Sequence, residues 1–202
     1  VQSELWKFEN EARSQGFTQI AGVDEAGRGP LAGPVVSGAV ILPEDFDVPG
    51  INDSKKLTPR KRDKLYDQIR EGAIAVGVGI VDNLQIDKIN ILQAALLSMA
   101  QAAGKLSPAP DFLLIDGTFT TPTDISQKAI PKGDSLSISI AAASIIAKVT
   151  RDRLMADYHD RYPDYGFDRH KGYPTKAHKE AIARHGVSPI HRLTFKGVKE
   201  YV

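Results

Sequence analysis

Four carboxylates in this chain stand where a charge is costly unless it holds something. Asp24 and Glu25 follow Ala21-Gly22-Val23 and run into Gly27-Arg28-Gly29-Pro30. Asp116 follows the apolar run Phe112-Leu113-Leu114-Ile115 and precedes Gly117, while Asp134 lies in Lys132-Gly133-Asp134-Ser135, just ahead of a long Ala-rich stretch. The mouth of a buried strand in an α/β fold is where ligands bind. Hard divalent cations such as Mg²⁺ take oxygen ligands, and the chain has no cysteine to offer instead. Two such ions, about 3.5 to 4 Å apart, can activate a water and stabilise the leaving oxygen of a phosphodiester.

Each carboxylate also has a bland reading: a turn at Asp24-Glu25 and Asp116, a helix N-cap at Asp134. Gly27-Arg28-Gly29-Pro30-Leu31-Ala32 formally fits a dinucleotide loop, but that loop must open a helix, and the β-branched stretch from Val35 begins at once. Two carboxylates beside a pyrophosphate would also repel it. Successive strand side chains point to opposite faces, so Asp24 and Glu25 are expected to share a site by the strand ending between them. The glycines that follow allow that break and bring backbone N–H groups close to whatever the acids hold.

The second chemical feature is a basic tail. Net charge is +1, yet residues 1–168 sum to −5 and residues 169–202 to +6. Arg169, Lys171, Lys176, Lys179, Arg184, Arg192, Lys196 and Lys199 are interleaved with Tyr165, Phe167, Tyr173 and Phe195. Alone, this reads as a solvated basic face; with aromatics among the cations it also suits phosphate contacts and stacking on bases or sugars. His159, His170, His178, His185 and His191 cluster in the same region, but without cysteine or a His-Glu-x-x-His helix a zinc site is not expected.

Positioning these residues requires a folded core, and 202 residues with 42% hydrophobic and 25% charged content are sufficient for one domain. The absence of cysteine excludes disulfides and thiol nucleophiles and suits a reducing compartment, so a cytoplasmic setting is expected. No stretch approaches the roughly 18 to 20 apolar residues of a membrane helix, and the N-terminus is amphipathic and acidic, unlike a signal peptide. The chain starts at Val1, and further sequence upstream is an open matter. Leu5, Phe8 and Ala12 predict a short packing helix capped by Ser3 and ended by Gly16. Strands are expected at residues 18–23, 35–42, 73–81 and 112–116, with a weak one at 127–130. Helices are expected at 59–70, behind the Thr58-Pro59 cap, at 83–103 with a possible break at Asn90, at 135–159 and at 175–185. Two strands joined without a helix, followed by alternating helices and strands, predict an α/β fold with a mixed sheet and an antiparallel start.

The motifs, taken together in order, resemble bacterial ribonuclease HII, a type 2 ribonuclease H. They are residues 24–35 beginning Asp24-Glu25-Ala26-Gly27, Asn52-Asp53-Ser54-Lys55-Lys56-Leu57, Ile115-Asp116-Gly117, Gly133-Asp134, residues 139–152 ending Thr150-Arg151-Asp152, and His170-Lys171-Gly172-Tyr173-Pro174-Thr175. The resemblance implies an RNase H-like fold, a mixed β-sheet flanked by helices with a C-terminal helical basic subregion. It implies a substrate-binding subregion at about 161–202; with the packing helix at 1–16, read from its apolar spacing and outside the shared motifs, a single catalytic domain over 1–202 is expected. The implied activity is metal-dependent endonucleolytic hydrolysis of RNA in RNA-DNA hybrids and at single ribonucleotides in duplex DNA, leaving 3′-hydroxyl and 5′-phosphate ends. Asp24, Glu25, Asp116 and Asp134 match the family's catalytic ligands for Mg²⁺ or Mn²⁺, two ions per site with substrate bound. Gly27-Arg28-Gly29 matches the motif that reads the ribose 2′-hydroxyl, and Tyr173 the tyrosine that stacks on the next deoxyribose. Ser54, Lys55 and Lys56 look like phosphate contacts, and Lys148 and Arg151, on the long helix, are further candidates. Monomer is the default.

Two rivals remain at this point. An RNase H-like DNA nuclease or transposase-type enzyme could use the same carboxylates, but a DNA-only enzyme has no 2′-hydroxyl for a Gly-Arg-Gly segment to read. A non-catalytic nucleic-acid-binding module could use the basic tail, but gains nothing from extra negative charge near phosphate.

Overall fold

The computed structural model describes residues 2–51, 54 and 57–202. A five-stranded mixed sheet of order β3-β2-β1-β4-β5 forms the centre: β1 Ile20–Ala26, β2 Val35–Ile41, β3 Ala75–Val81, β4 Phe112–Asp116 and β5 Ser126–Ile130. β1, β2 and β3 form an antiparallel meander, and β4 and β5 add in parallel beside β1. The expected mixed sheet with an antiparallel start is therefore present, and the weak fifth strand is a full member.

One long helix lies on each face. α6, Ile138–Arg161, covers β1 and β2 on one side, and α5, Ile91–Gly104, covers β2 and β3 on the other. Glycine sets both approaches: a Cβ at Gly22 or Gly38 would overlap the α6 backbone at Ser139 or Ala143, and one at Gly77 or Gly79 would overlap α5 at Ala102 or Ser98. The alanines Ala141, Ala142, Ala143 and Ala147 complete this close contact from the helix side, all fully buried. α3, Pro59–Gly72, packs Leu65, Tyr66 and Ile69 against α6; Thr58 caps it by accepting from the Lys61 N–H at 3.3 Å.

Several boundaries differ from the sequence expectation for local reasons. Asn90 has φ +68° and separates α4, Asn83–Ile89, from α5, whose first N–H groups of Leu92 and Gln93 it accepts at 3.0 and 3.1 Å. The N-terminal helix is broken at Trp6 into α1, Gln2–Leu5, and α2, Lys7–Ser14, so Ser3 lies within a helix rather than capping one. α6 starts at Ile138, not residue 135, because Ser137 takes the N-cap and accepts from the Ile140 N–H at 3.2 Å.

α2 is anchored by an ionisable residue the apolar spacing does not reveal. Glu9, 1% exposed, accepts from the hydroxyls of Ser137 and Ser139 at 2.6 Å each and from the Ser139 N–H at 3.1 Å. A carboxylate at the N-terminal end of α6 is favourably placed against unpaired N–H groups and the helix dipole. Beyond α6 the chain forms α7, Phe167–His170, and α8, Lys176–His185, around a small core of Ala32, Met155, Tyr165, Phe167 and Ile190. No helix among the described residues is long and apolar enough to cross a membrane.

Candidate active site

β1 carries the acidic pair straight through, correcting the expectation that the strand ends between them: Glu25 and Ala26 still pair with Ser37 and Val36 of β2. The two carboxylates therefore leave on opposite faces. Asp24 shares the α6 face with Gly22 and is hydrogen bonded by the Ser144 side chain. Glu25 shares the α5 face with Ala21 and Val23, which pack on Met99 and Ala102. Asp116 reunites them. β4 runs parallel to β1 with Ile115 beside Val23, so the next residues along, Asp116 and Asp24, are neighbours at the same strand edge.

Asp134 completes the group from a 3₁₀ turn, Gly133–Ser135, that precedes α6, so it is not the cap of that helix. Its backbone N–H donates to Asp116 Oδ1 at 3.4 Å, and the Ser135 hydroxyl donates to Asp134 Oδ1 at 3.4 Å. One carboxylate oxygen from each of Asp24, Asp116 and Asp134 lies within 4.8 Å of the others. Asp24 is 3% exposed. Burial first, then the charges of Glu25 and Asp116, push its carboxyl well above the usual carboxylate range, although it accepts from the Glu25 N–H at 2.7 Å. Burial also raises Glu25; Arg28, whose Nη1 is 3.4 Å from Glu25 Oε1, opposes this, and Asp116 reinforces it. Converging carboxylate oxygens, buried at Asp24 and Asp134 and half-buried at Asp116, form a donor set suited to a hard divalent cation. Glu25 stands at its rim, in a cavity of about 320 Å³ that Arg28, Asp116, Phe119 and Lys132 also line.

The Gly-Arg-Gly segment lies beside these acids and is clamped from within. Gly27 has φ +101°, and a Cβ there would overlap the Arg151 side chain, so only glycine fits. Arg192, fully buried, donates to four backbone carbonyls of this segment: Nη2 to Gly27 at 2.6 Å, Nη1 to Arg28 at 3.0 Å and to Pro30 at 2.8 Å, and Nε to Gly33 at 3.0 Å. Arg151, 1% exposed, donates to the carbonyls of Pro34, Ala32 and Lys171 at 2.9, 3.2 and 3.0 Å. Burial lowers Arg151 to about 10 and Arg192 to about 9, which leaves both as cations at neutral pH. Arg28 and Gly29 are exposed, and the Tyr173 ring packs next to Gly29, 3.6 Å from where a Cβ would stand.

These contacts revise several candidates. Arg151 is not placed to meet a phosphate, because its guanidinium is buried and committed to backbone oxygens; Arg192 leaves the basic surface for the same reason. Tyr165 and Phe167 are core residues, stacked at 5.4 Å, and Phe195 is half-buried with the Arg192 guanidinium over its ring at 5.0 Å. Of the four interleaved aromatics only Tyr173, 41% exposed, remains open. Lys148 is partly buried and paired with Asp152 at 2.6 Å. Ser54 is buried, sharing a hydrogen bond with the Ser144 hydroxyl at 2.8 Å, while its carbonyl accepts from Arg62. It thereby reaches the residue that contacts Asp24. Lys55 and Lys56 lie outside the described residues. Two of the clustered histidines form a buried pair, His178 Nε2 to His191 Nε2 at 3.1 Å, and burial holds both down to about 4, so they are neutral. His178 Nδ1 also bonds the Tyr173 carbonyl at 2.9 Å. Nothing in residue type separates these buried arginines and histidines from their exposed neighbours. Arg151 stood out only as part of the motif at 139–152, and Arg192 only as one cation of the basic tail.

Comparison with known proteins agrees with this geometry. The family model for Ribonuclease HII matches residues 21–198. The chain is 58% identical over 201 residues to Ribonuclease HII of Geobacter sulfurreducens, covering 100% of this chain and 93% of that one. Ribonuclease HII of Geotalea uraniireducens is 62% identical over 198 residues, covering 98% and 92%. Among solved structures, ribonuclease H2 from Pyrococcus horikoshii superposes with a TM-score of 0.75 at 29% identity, over 91% of this chain and 97% of that one. An RNase H-type sheet with its acids at the β1–β4 edge, matched along nearly its whole length by these relatives, makes this chain a member of the ribonuclease HII family, an RNase H endoribonuclease.

Proposed function

We propose that the protein hydrolyses RNA paired with DNA, including a single ribonucleotide embedded in duplex DNA, and leaves 3′-hydroxyl and 5′-phosphate ends. The observation that carries this reading is the convergence of Asp24, Asp116 and Asp134 within 4.8 Å, beside a Gly-Arg-Gly loop with an exposed face. Asp24, Asp116, Asp134 and, from the rim, Glu25 hold divalent cations, two with substrate bound and Mg²⁺ or Mn²⁺ by the hardness of the donors. When bound, these ions supply the charge that activates water and stabilises the departing oxygen. The chain's own residues orient the scissile bond and select the sugar.

Gly27 and Gly29 let the backbone approach a 2′-hydroxyl, the group that distinguishes ribose from deoxyribose and can both donate and accept. Tyr173, beside Gly29, packs against the following sugar, where a second 2′-hydroxyl would crowd the ring. The exposed tail cations, with Lys55, Lys56 and Lys148 as further candidates, bring the duplex phosphates to this edge, while Ser54, buried against Ser144, supports Asp24 from behind. Residues 1–202 act as one catalytic domain, with α1 and α2 packing on the core and about 161–202 as the substrate-binding subregion, working as a monomer in the cytoplasm.

The test is a panel of three labelled duplexes: DNA with one ribonucleotide, an RNA-DNA hybrid, and DNA alone, each with Mg²⁺, Mn²⁺ or EDTA. Cleavage of the first two with either metal, and of nothing in EDTA, is expected. Cutting of the all-DNA duplex, or cutting that survives EDTA, overturns the reading.

A further inference from the structure

The segment 27–34 leaves β1 and returns into β2 with only an isolated bridge, Ala32 to His191, as sheet pairing. Four of its carbonyls are satisfied instead by one side chain from far along the chain, since Arg192 spans 159 to 165 residues to reach Gly33, Pro30, Arg28 and Gly27. Four bonds from one guanidinium fix not only where the loop sits but how its peptide planes are turned. In a trans peptide the C=O of one residue and the N–H of the next point in opposite directions. Holding the Gly27 and Arg28 carbonyls inward therefore turns the N–H groups of Arg28 and Gly29 outward, at residues that are exposed. Arg192 is itself 0% exposed, so it acts on a ligand only through the loop.

We propose that Arg192 is a positioning residue for sugar recognition: it presets the Arg28 and Gly29 N–H groups as outward donors for a ribose 2′-hydroxyl. This rests on the reading that the loop distinguishes ribose from deoxyribose. Lysine cannot replace it, because an ammonium is a compact point charge without the planar fork that spans several carbonyls. The Phe195 ring under the guanidinium, 5.0 Å from its carbon, holds the plane of that fork.

The test measures dissociation constants in an Asp116→Asn background, so that nothing is cut, for a duplex with one ribonucleotide and for the same duplex in all-deoxy form. Arg192→Lys is expected to shrink the preference for the ribonucleotide duplex by about fivefold or more, as for the removal of one hydrogen bond, and to leave the all-deoxy constant within about twofold. Ile69→Val, in the α3–α6 core away from the loop, supplies a stability control and should keep the full preference. If Arg192→Lys does not fold, Phe195→Leu decides, with a smaller loss in the same direction expected. A preference unchanged in the folded arginine variant, or in Phe195→Leu where that one decides, overturns the inference while leaving sugar reading intact. The absence of any preference before Arg192 is changed instead sinks the sugar-reading premise.

Discussion

Asp24 brings a carboxylate into a site where it is 3% exposed and where Glu25 and Asp116 add repulsion, so the metal-free protein carries an electrostatic cost at this edge. The sign of its pH dependence follows. A carboxyl raised in the folded state binds its proton more tightly there than in the unfolded chain, so stability is lowest above the folded value and recovers as pH falls through it toward the ordinary 3.8. Divalent cations should therefore raise the melting temperature more at pH 8 than at pH 5, and an equal rise at both would contradict the assignment. Asp24→Asn should raise the metal-free melting temperature, abolish the metal-induced shift and abolish cleavage, as expected where function is kept at the expense of stability. The opposite sign applies to His178 and His191. Held at about 4, they favour the unfolded state as pH falls from about 6.5. An NMR titration should place both midpoints below 5, and midpoints near 6.5 would show that the pair is not buried as described. At this scale the meeting of Asp24, Asp116 and Asp134 was legible because each follows an apolar strand or precedes a helix start. Arg151 and Arg192 were not, because an arginine's burial depends on which carbonyls the fold leaves unpaired, and that is settled by contacts more than a hundred residues apart.

At the scale of elements, the site depends on how closely α6 lies on β1 and β2. Gly22 and Gly38 permit that approach, and Gly22→Ala should push the Ser139 end of α6 outward, destabilise by about 2 kcal/mol or more as an overpacking change, and reduce cleavage by separating Ser144 from Asp24. A chemical melt and a rate measurement check both. Glu9 anchors the same end of α6 from α2, and Glu9→Ala should cost about 2 kcal/mol through the loss of charge-assisted bonds to Ser137 and Ser139; no change in the unfolding midpoint would make α2 dispensable. The sheet and the major helices were readable from periodicity and caps, including Thr58-Pro59, whereas the same periodicity fitted one helix or two across Asn90 and its positive φ decides for two. The continuation of β1 through Glu25 was not. The expectation required both acids to face one side, whereas a neighbouring strand supplies the residue that brings them together.

At the scale of the whole molecule, near-neutral charge conceals an acidic part and a basic tail. With two divalent ions on the acids the first part would move from −5 to about −1, leaving a net positive protein to meet nucleic acid. Arg192 is removed from that surface by burial, while Lys176 and Lys179 are exposed on α8, which follows Tyr173 closely. Changing both to glutamine should weaken binding to ribonucleotide-containing and all-deoxy duplexes alike, and lower the salt slope by up to about two, one for each phosphate that is no longer neutralised. An unchanged slope would place α8 away from the duplex.

On the proposed reading, the carboxylate cluster at the β1–β4 edge performs the cleavage while the rest of the molecule holds the duplex. Single-turnover cleavage and equilibrium binding of a one-ribonucleotide duplex, compared between the unaltered protein and Asp116→Asn with Mg²⁺ present, test it most directly. Loss of cutting by at least about a thousandfold, an order expected when an essential group is removed, with binding largely retained, is the predicted result. Full activity in the variant would remove Asp116 from the site and show that cleavage does not depend on the carboxylate cluster.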